Sequence, residues 1–537
     1  MKRRDIMRKI RKIAAAFLAM MILVSALSGC SGSKPTGDGG GSGDGTENAN
    51  VPLINDGKPV TIIVNLGEYG PSDNEEPTED APTVFNSTRK LIEKFEKLHP
   101  NVTVELDKSF PTTGGDYVAS LNQWMLPRLA AGTQMDIACN LSVALFGDNG
   151  WFMNISDELE KPNEYIKEGE AGSKRWADIY PSYVFSNASV INTNSEILGV
   201  PYMMDCGSPT AYFYNKEIFK ELNLEVPRTW EEMFKVCEVI GKAGYIPFAP
   251  HAVNTNSDLQ CWDTQFSLGP VYAQYMLDAF DYNGDGRQDM QERVRAVKEG
   301  LYDATKHTYA LDIWKQVKRK YASSTSPILQ DGYQTTDYEP LWNEGKVAIY
   351  EGLMASLPYM NSNTDIDFEF GLFPPPVISN DTYDYLPEAQ FTEAGPTKPG
   401  VTSSWVFLTK SMEEKDPAVK EACIAFVKFM TAPENMSAVV LEKRGAVLGA
   451  ASDCVIPPEL KDWMQQKFPI YPDTTGWLPI NTSDYRQQGN KLLDQWLYGE
   501  IDDNTFATKL NEISQADADA IIETSGLDTT GWAIGGQ

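Results

Sequence analysis

Residues 281–292, DYNGDGRQDMQE, carry oxygen donors at the spacing that a hard cation requires. Carboxylate or amide side chains occupy loop positions 1, 3, 5, 9 and 12, glycine occupies position 6, and position 7 offers its carbonyl. The candidate ligands, in order, are Asp281, Asn283, Asp285, the carbonyl of Arg287, Asp289 and Glu292. The segments on both sides lack proline and favour helix. The pattern, called the calcium loop below, predicts one bound Ca²⁺.

The calcium loop stands alone in the sequence, whereas sensor loops usually occur in pairs. Its position 8 is Gln288, where paired loops carry an apolar residue. We therefore expect a structural ion that holds a local segment together rather than a switch. The alternative is an acidic, glycine-rich loop that binds nothing.

The N-terminus has the pattern of an export signal. Basic residues crowd the first twelve positions, an apolar stretch runs from Ile13 to Leu27, and LSGC follows at 27–30. LSGC resembles the bacterial lipobox, so residues 1–29 are predicted to be a signal peptide and Cys30 the lipidated residue. A plain signal or a short membrane anchor is the alternative. Residues 30–57, rich in glycine and polar residues, are predicted to be the lipidated cysteine and a flexible tether.

The composition limits the partners of the folded part. A net charge of −29 disfavours nucleic acid and anionic lipid surfaces. With 42% hydrophobic residues in 537, the chain supports a large core divided over two domains, and we expect a monomer. The cysteines after Cys30 form no CxxC pair and are expected to be mostly free thiols. Cys237 and Cys423 lie on apolar helical stripes and are predicted to be buried.

Strand and helix patterns alternate along the chain from about Lys58. PVTIIVNLGEYG at 59–70 is predicted to be a strand that ends in a loop, an amphipathic helix follows around Leu91, and NVTVEL at 101–106 is a second strand. Thr229 and Glu232 form a capping box at the start of a later helix. The alternation predicts an α/β fold with parallel strands.

Four segments, in chain order, resemble the carbohydrate-binding extracellular solute-binding proteins of bacterial ABC importers, the family that includes maltose-binding protein. They are VPYMMDCGSPTAYFYNKEIFKELNLEVPRTWEEMFKVCEVIGKAGYIPFA at 200–249, LWNEGKVAIYEG at 341–352, VTSSWVFLTK and the helix after it at 401–439, and GWLPINTSDY at 476–485. The resemblance implies a membrane-anchored protein that captures an oligosaccharide outside the cell and delivers it to the permease subunits.

The resemblance also implies two α/β lobes joined by a hinge of several crossings, with the ligand between them. Lobe one would contain residues 58–205 and 401–450, and lobe two residues 206–400 and 451–537. The crossings would lie at 205–209, 400–404 and near Ala450. The calcium loop then falls in lobe two, away from the loops expected to face the ligand.

A sugar offers hydroxyl edges and flat C–H faces, so its site needs aromatic rings and carboxylate or amide partners. Loops that follow strand ends supply both kinds. The ligand-binding candidates are Glu68, Tyr69, Asn140, Asp148, Trp151 and Asp205 in lobe one, with Trp262, Asp263, Met354 and Trp477 in lobe two. The family often has tryptophan where this chain has Met354, and this departure leaves the sugar class open.

Two other functions remain possible at this point. An exported glycoside hydrolase would use two carboxylates, of which an acidic chain has many. A binding protein for a peptide or a polyamine would keep the fold and change the cleft. The three histidines form no HExxH motif, and the sequence lacks a GxSxG elbow and a P-loop, so no enzyme is predicted.

Overall fold

Two β-sheets with helices around them organise the part of the chain that the computed structural model describes. That part comprises residues 53–78, 84–109, 117–139, 141–187, 189–192, 194–207, 210–250, 281–282, 284, 290–323, 338–391, 400–468 and 483–534. The strands in it are β1 Val60–Asn65, β2 Val102–Leu106, β3 Ile137–Cys139, β4 Gly199–Met204, β5 Thr210–Asn215, β6 Ile246–Ala249, β7 Val347–Leu353, β8 Phe370–Phe373, β9 Val401–Phe407 and β10 Leu448–Gly449.

The first sheet has the strand order β10-β4-β9-β3-β1-β2. Strand β1 pairs in parallel with β2 and β3, from Val60 opposite Val102, whereas β9 pairs antiparallel with β3 and β4. Strand β10 is antiparallel to β4. The carboxyl ends of β1 to β4 and the amino ends of β9 and β10 therefore share one edge, called the first edge below.

The second sheet has the strand order β6-β7-β5-β8. Strand β6 is parallel to β7, and β5 is antiparallel to both β7 and β8. The carboxyl ends of β6, β7 and β8 and the amino end of β5 consequently lie together, at the second edge. Because β4 continues into β5 and β8 continues into β9, the first and second edges are joined by the chain itself.

The helices cover the faces of both sheets. Their bounds are Ser87–Leu98, Tyr117–Ala131, Val143–Phe146, Ser156–Leu159, Lys216–Glu221, Trp230–Lys242, Met290–Lys298, Thr308–Ala322, Tyr338–Asn343, Leu357–Ser362, Thr409–Glu414, Pro417–Thr431, Pro433–Glu442, Lys461–Met464, Ser483–Leu497 and Asp503–Ser525. Shorter 3-10 turns include Gly67–Tyr69, Gly147–Asn149, Met354–Ser356 and Pro458–Leu460. The α/β fold class predicted from the sequence is confirmed.

Local sequence signals explain several of these elements. Helix Ser87–Leu98 buries Leu91, Ile92 and Phe95 of the predicted apolar stripe, whereas its last residue, Leu98, is exposed. The capping box is present, because the Thr229 hydroxyl accepts from the Glu232 backbone while the Glu232 carboxylate accepts from the Thr229 backbone.

The cysteines in the described residues are free thiols: Cys139, Cys206, Cys237 and Cys423 are buried, and Cys454 is partly buried. The predicted burial of Cys237 and Cys423 is confirmed. Cys261 lies outside the described residues.

Three passages carry the chain between the sheets. Passage one follows β4 and is described over 205–207, and passage two follows β8 and is described over 374–391 and at Gly400. For passage three, the Ser452 amide still donates to Ile179 beside the first sheet, whereas the Gln466 side chain donates to the Leu372 carbonyl in β8. Passage three therefore lies within 453–465. The lobe boundaries given above stay a prediction.

Candidate functional site

The loops at the first and second edges form the candidate site. In α/β sheets, ligands bind outside the carboxyl ends of the strands, because loops from neighbouring strands converge there. Glu68, Tyr69 and Asp205 follow β1 and β4 at the first edge, and Met354 follows β7 at the second. The topology therefore brings candidates from distant parts of the chain to two edges that the passages connect.

Glu68 is exposed at the first edge, on the 3-10 turn that follows β1. The Asn65 side-chain oxygen accepts from the Gly67 amide at 2.9 Å and fixes this turn, in which Gly67 has a φ of 53°. Glu68 is consequently held on a rigid support, and its carboxylate also interacts with the Tyr69 hydroxyl.

Lys443 lies beside Glu68, and the sequence did not indicate it. Its Nζ donates to the Glu68 carbonyl at 3.0 Å and lies 4.1 Å from the centre of the Phe85 ring and 5.4 Å from that of Tyr69. Burial lowers the pKa of Lys443, against the opposing influence of Glu68 and Glu442. The first edge thus presents a hydrogen-bond donor and an acceptor side by side.

The side chain of Tyr69 is buried beneath the turn Gly67–Tyr69, and its ring does not face the solvent. It is 3% exposed, its hydroxyl accepts from the Ser403 hydroxyl at 3.1 Å, and its ring meets Tyr202 edge to face at 5.4 Å. Burial, together with the charge of Glu68, raises the pKa of Tyr69 well above its ordinary value. In this conformation little of the ring is available to a ligand, and direct contact stays a prediction.

Trp151 is also packed among core side chains. It is 9% exposed and stacks on Phe146, with 5.1 Å between ring centres. Nearby Asp148 is exposed on the turn Gly147–Asn149. At the second edge, Met354 is 2% exposed at the start of its 3-10 turn. Ligand contact by these three residues stays a prediction, and the burial of Trp151 and Met354 means that only a movement of neighbouring groups would uncover them.

Asp205 lies in passage one and binds backbone amides on both sides. Its Oδ1 accepts from the Gly207 amide at 2.7 Å and its Oδ2 from the Gly400 amide at 3.0 Å. Burial raises the pKa of Asp205 to about 6, although the two amides oppose the shift.

Tyr183 is a half-buried aromatic residue that the sequence did not indicate. Its hydroxyl donates to Met204 Sδ at 3.9 Å, and burial, together with Asp205, raises the pKa of the phenol. Its position beside the end of β4 makes it a further candidate for ligand contact.

Several predicted site residues lie outside the described residues. They are the ligand candidates Asn140, Trp262, Asp263 and Trp477, the calcium ligands Asn283, Asp285, Arg287 and Asp289, and the lipidation site Cys30. Their roles stay predictions.

The described residues beside the calcium loop connect its two ends. Tyr282, at loop position 2, donates from its hydroxyl to Glu299 Oε2 at 2.9 Å, and the Arg295 guanidinium lies 3.8 Å from its ring centre. Arg295 belongs to helix Met290–Lys298, whose Glu292 is 5% exposed. Among the residues with described positions, no group of three or more His, Cys, Asp or Glu side chains is arranged to hold a metal.

Comparison with known proteins identifies the family. The family described as bacterial extracellular solute-binding protein matches residues 81–437, and the chain belongs to it. An uncharacterized ABC transporter extracellular-binding protein of Pyrococcus horikoshii is 21% identical over 389 residues, 71% of this chain and 75% of that protein. The protein is therefore an extracellular solute-binding protein and not an enzyme.

Solved structures show the same fold. A family 1 extracellular solute-binding protein from Bifidobacterium longum subsp. infantis has a TM-score of 0.54 at 18% identity, with 85% of this chain and 99% of that one covered. An ABC transporter solute-binding protein from Thermotoga lettingae, bound with α-D-tagatose, has a TM-score of 0.51 at 18% identity, covering 86% and 100%. A chitin oligosaccharide binding protein has a TM-score of 0.51 at 18% identity, with 81% of this chain and 95% of that one covered. The fold is the two-lobe fold of periplasmic binding proteins.

Within the described part of the chain, no single helix is both long and apolar enough to cross a bilayer, whereas the bent pair Pro417–Thr431 and Pro433–Glu442 together has the length and apolar content to do so.

Proposed function

We propose that the protein captures an oligosaccharide between its first and second edges and delivers it to the permease subunits of an ABC importer. It acts as a monomer and is held to the outer face of the cell membrane by a lipid on Cys30. Family membership supports the transport role. The similar proteins whose names refer to chitin oligosaccharide and tagatose support a sugar as ligand.

The observation that carries the sugar assignment is the pairing of Glu68 with Lys443 at the first edge. A sugar hydroxyl both donates and accepts, so neighbouring acceptor and donor groups can bind two adjacent hydroxyls. The exposed Glu68 carboxylate is the acceptor, and Lys443, which donates to the Glu68 carbonyl, is the donor. Asp148 and the phenol of Tyr183 add polar groups on lobe one.

A non-sugar solute, such as a peptide or a polyamine, is the second candidate because the fold accommodates it equally well. Against a polyamine, the Lys443 ammonium would repel a polycation at the same edge where Glu68 would attract it. The aromatic candidates Trp262 and Trp477 would serve as stacking surfaces for sugar rings.

A thermal-shift screen tests the assignment. Chito-, xylo- and malto-oligosaccharides would be compared with peptides and polyamines, and hits measured by calorimetry. We expect at least one oligosaccharide to raise the melting temperature, because a ligand that binds only the folded state stabilises it. A shift with a peptide or a polyamine and with none of the sugars would contradict the proposal.

Variants then locate the site for the oligosaccharide found. Trp262→Ala and Trp477→Ala should each weaken binding by about 2 kcal/mol, or roughly thirtyfold, if the rings stack on the sugar. Glu68→Gln should weaken it about tenfold by removing a charged hydrogen bond of about 1.5 kcal/mol. Exposed Asp157, on helix Ser156–Leu159, provides the control Asp157→Asn, which should bind as the wild type does.

We also propose that the calcium loop binds one structural Ca²⁺. The ligands would be Asp281, Asn283, Asp285, Asp289, Glu292 and the Arg287 carbonyl. The contacts of Tyr282 with Arg295 and Glu299 support this role, because they already hold the start of the loop against the helix that follows it.

A further inference from the structure

Passage one is bound to passage two through the carboxylate and the backbone amide of Asp205. Asp205 Oδ2 accepts from the Gly400 amide at 3.0 Å, and the Asp205 amide donates to the Gly400 carbonyl at 2.9 Å. Asp205 Oδ1 accepts from the Gly207 amide, within passage one itself, at 2.7 Å. Both carboxylate oxygens are therefore engaged by the backbone of the passages.

Gly400 is required for this close approach. A Cβ placed on Gly400 would lie 2.8 Å from Asp205 Oδ2, closer than real Cβ contacts. A side chain at position 400 would therefore displace the Asp205 carboxylate and weaken its hydrogen bond to the Gly400 amide. The requirement for glycine lies at the point where passage two ends and β9 begins.

Passage one is also bound to passage three, through Cys206. The Cys206 carbonyl accepts from the Trp463 indole nitrogen at 2.7 Å, and Trp463 is 1% exposed. The Cys206 thiol donates to the Gly445 carbonyl at 3.5 Å. Gly445 has a φ of +95°. A Cβ at this position would lie 3.0 Å from Cδ2 of Leu357, which begins the helix Leu357–Ser362 after the second edge. All three passages thus meet at the dipeptide Asp205–Cys206.

We propose that Asp205 is a positioning residue that sets the equilibrium between open and closed lobes, rather than a group that binds the solute. The inference rests on the proposed function only in assuming that the lobes close on a ligand. The Asp205–Gly400 bonds continue the β4–β9 pairing one residue beyond Met204 opposite Val401, so they fix the points at which passages one and two leave the first sheet and about which the lobes can move. A change at Asp205 therefore alters how easily the lobes move without removing a contact to the ligand.

The first test measures hydrogen exchange of the ligand-free protein, so it does not depend on which solute binds. Asp205→Asn replaces one acceptor oxygen by an NH₂ group that faces an amide donor. We expect the amides of Gly207 or Gly400 to exchange about tenfold faster or more, because a lost bond of at least about 1.4 kcal/mol corresponds to that factor. Amides in the central strand β7 should exchange as in the wild type.

Matched variants distinguish the loss of the Asp205–Gly400 bonds from a general destabilisation of the fold. Gly400→Ala should also accelerate exchange of the Gly400 amide. Trp463→Phe, which removes the donor to the Cys206 carbonyl and keeps an aromatic ring in the core, should accelerate exchange of the Gly207 amide in the same peptide group. Asp157→Asn, an exposed carboxylate on lobe one, should change nothing. If Asp205→Asn fails to fold, Gly400→Ala carries the test.

The second test is small-angle scattering without ligand. If Asp205 sets the equilibrium between open and closed lobes, Asp205→Asn should have a changed radius of gyration or a broader distribution of sizes. Its circular dichroism spectrum should be like that of the wild type. Unchanged exchange at both glycines would overturn the proposal, and so would faster exchange throughout β7, which would indicate a purely structural role. A loss of sugar affinity with wild-type exchange and scattering would instead identify Asp205 as a ligand contact.

Discussion

Lys320 Nζ and Glu351 Oε1 lie 2.8 Å apart, and both side chains are only 1% exposed. The Tyr212 hydroxyl donates to the same carboxylate oxygen at 2.7 Å. Glu351 belongs to β7, three residues before Met354, so this buried charge pair lies directly beneath the second edge. Two charges removed from water are tolerated here because they satisfy each other.

Removing one partner of this pair should be costly. Lys320→Met should lower the free energy of unfolding by about 3 kcal/mol or more, because Glu351 would remain buried without its ammonium partner. Urea denaturation measures the change. Lys320→Met combined with Glu351→Gln should recover part of the loss. Lys242 forms an exposed ion pair with Glu238, so Lys242→Met should have little effect. Equal losses from the Lys320 and Lys242 variants would contradict this interpretation.

Asp494 should make stability depend on pH. Burial raises the pKa of this carboxyl to about 7, above its ordinary value of 3.8. Between about pH 4 and pH 7 the folded protein therefore holds a proton that the unfolded chain has released, so the contribution of Asp494 to stability falls as pH rises. Asp494→Asn removes this titration.

The measurement is urea denaturation of the wild type and Asp494→Asn at pH 5 and pH 7.5. The variant should be more stable relative to the wild type at pH 7.5 than at pH 5, because it has no buried charge at the higher pH. Asp157→Asn should show no such difference. The same stability gap at both pH values would show that Asp494 titrates normally.

Calcium should stabilise the protein if the calcium loop is occupied. EDTA should lower the melting temperature, and added Ca²⁺ should restore it, because a bound ion stabilises the folded state by mass action. Asp281→Ala combined with Glu292→Ala should abolish this response. Melting that is identical with and without chelator would contradict a calcium site, and affinity for the sugar should barely change because the loop is expected to lie away from the ligand.

Lipid attachment at Cys30 is tested by metabolic labelling. Labelled palmitate should enter the full-length wild-type protein in the producing bacterium and should be absent from Cys30→Ala, because the thiol of that residue is the acceptor in the lipobox pattern. Cell fractionation should move the variant from the membrane to the soluble fraction. Equal labelling of both proteins would contradict the assignment.

The architecture could be predicted because its signals are local. The stripe that includes Leu91 and Phe95 repeats with helical period, and the Thr229 capping box needs only residues three apart. The buried thiols Cys237 and Cys423 follow from the same helical periodicity. Family resemblance then supplied the two-lobe arrangement, which periodicity alone does not determine.

The site could be predicted only in part, because its geometry depends on contacts between distant segments. Tyr69 follows a strand end like other candidates, but its burial depends on Ser403 and Tyr202. Lys443 becomes a site candidate only because the fold places Phe85 and Glu68 beside it. No local pattern contains either relationship.

The buried cysteines have a practical consequence for the study of this protein. Burial raises the pKa of Cys237 to about 12 and that of Cys454 to about 11, and it raises the pKa of Cys139, Cys206 and Cys423 as well. Their thiolate fractions at neutral pH are therefore very small, and they should react slowly with maleimides, because the thiolate is the nucleophile that adds to the maleimide double bond. In a variant in which Cys30 and Cys261 are replaced, cysteines introduced on the two lobe surfaces would be modified in preference to these five, so spectroscopic probes could report lobe separation while these five thiols stay in place.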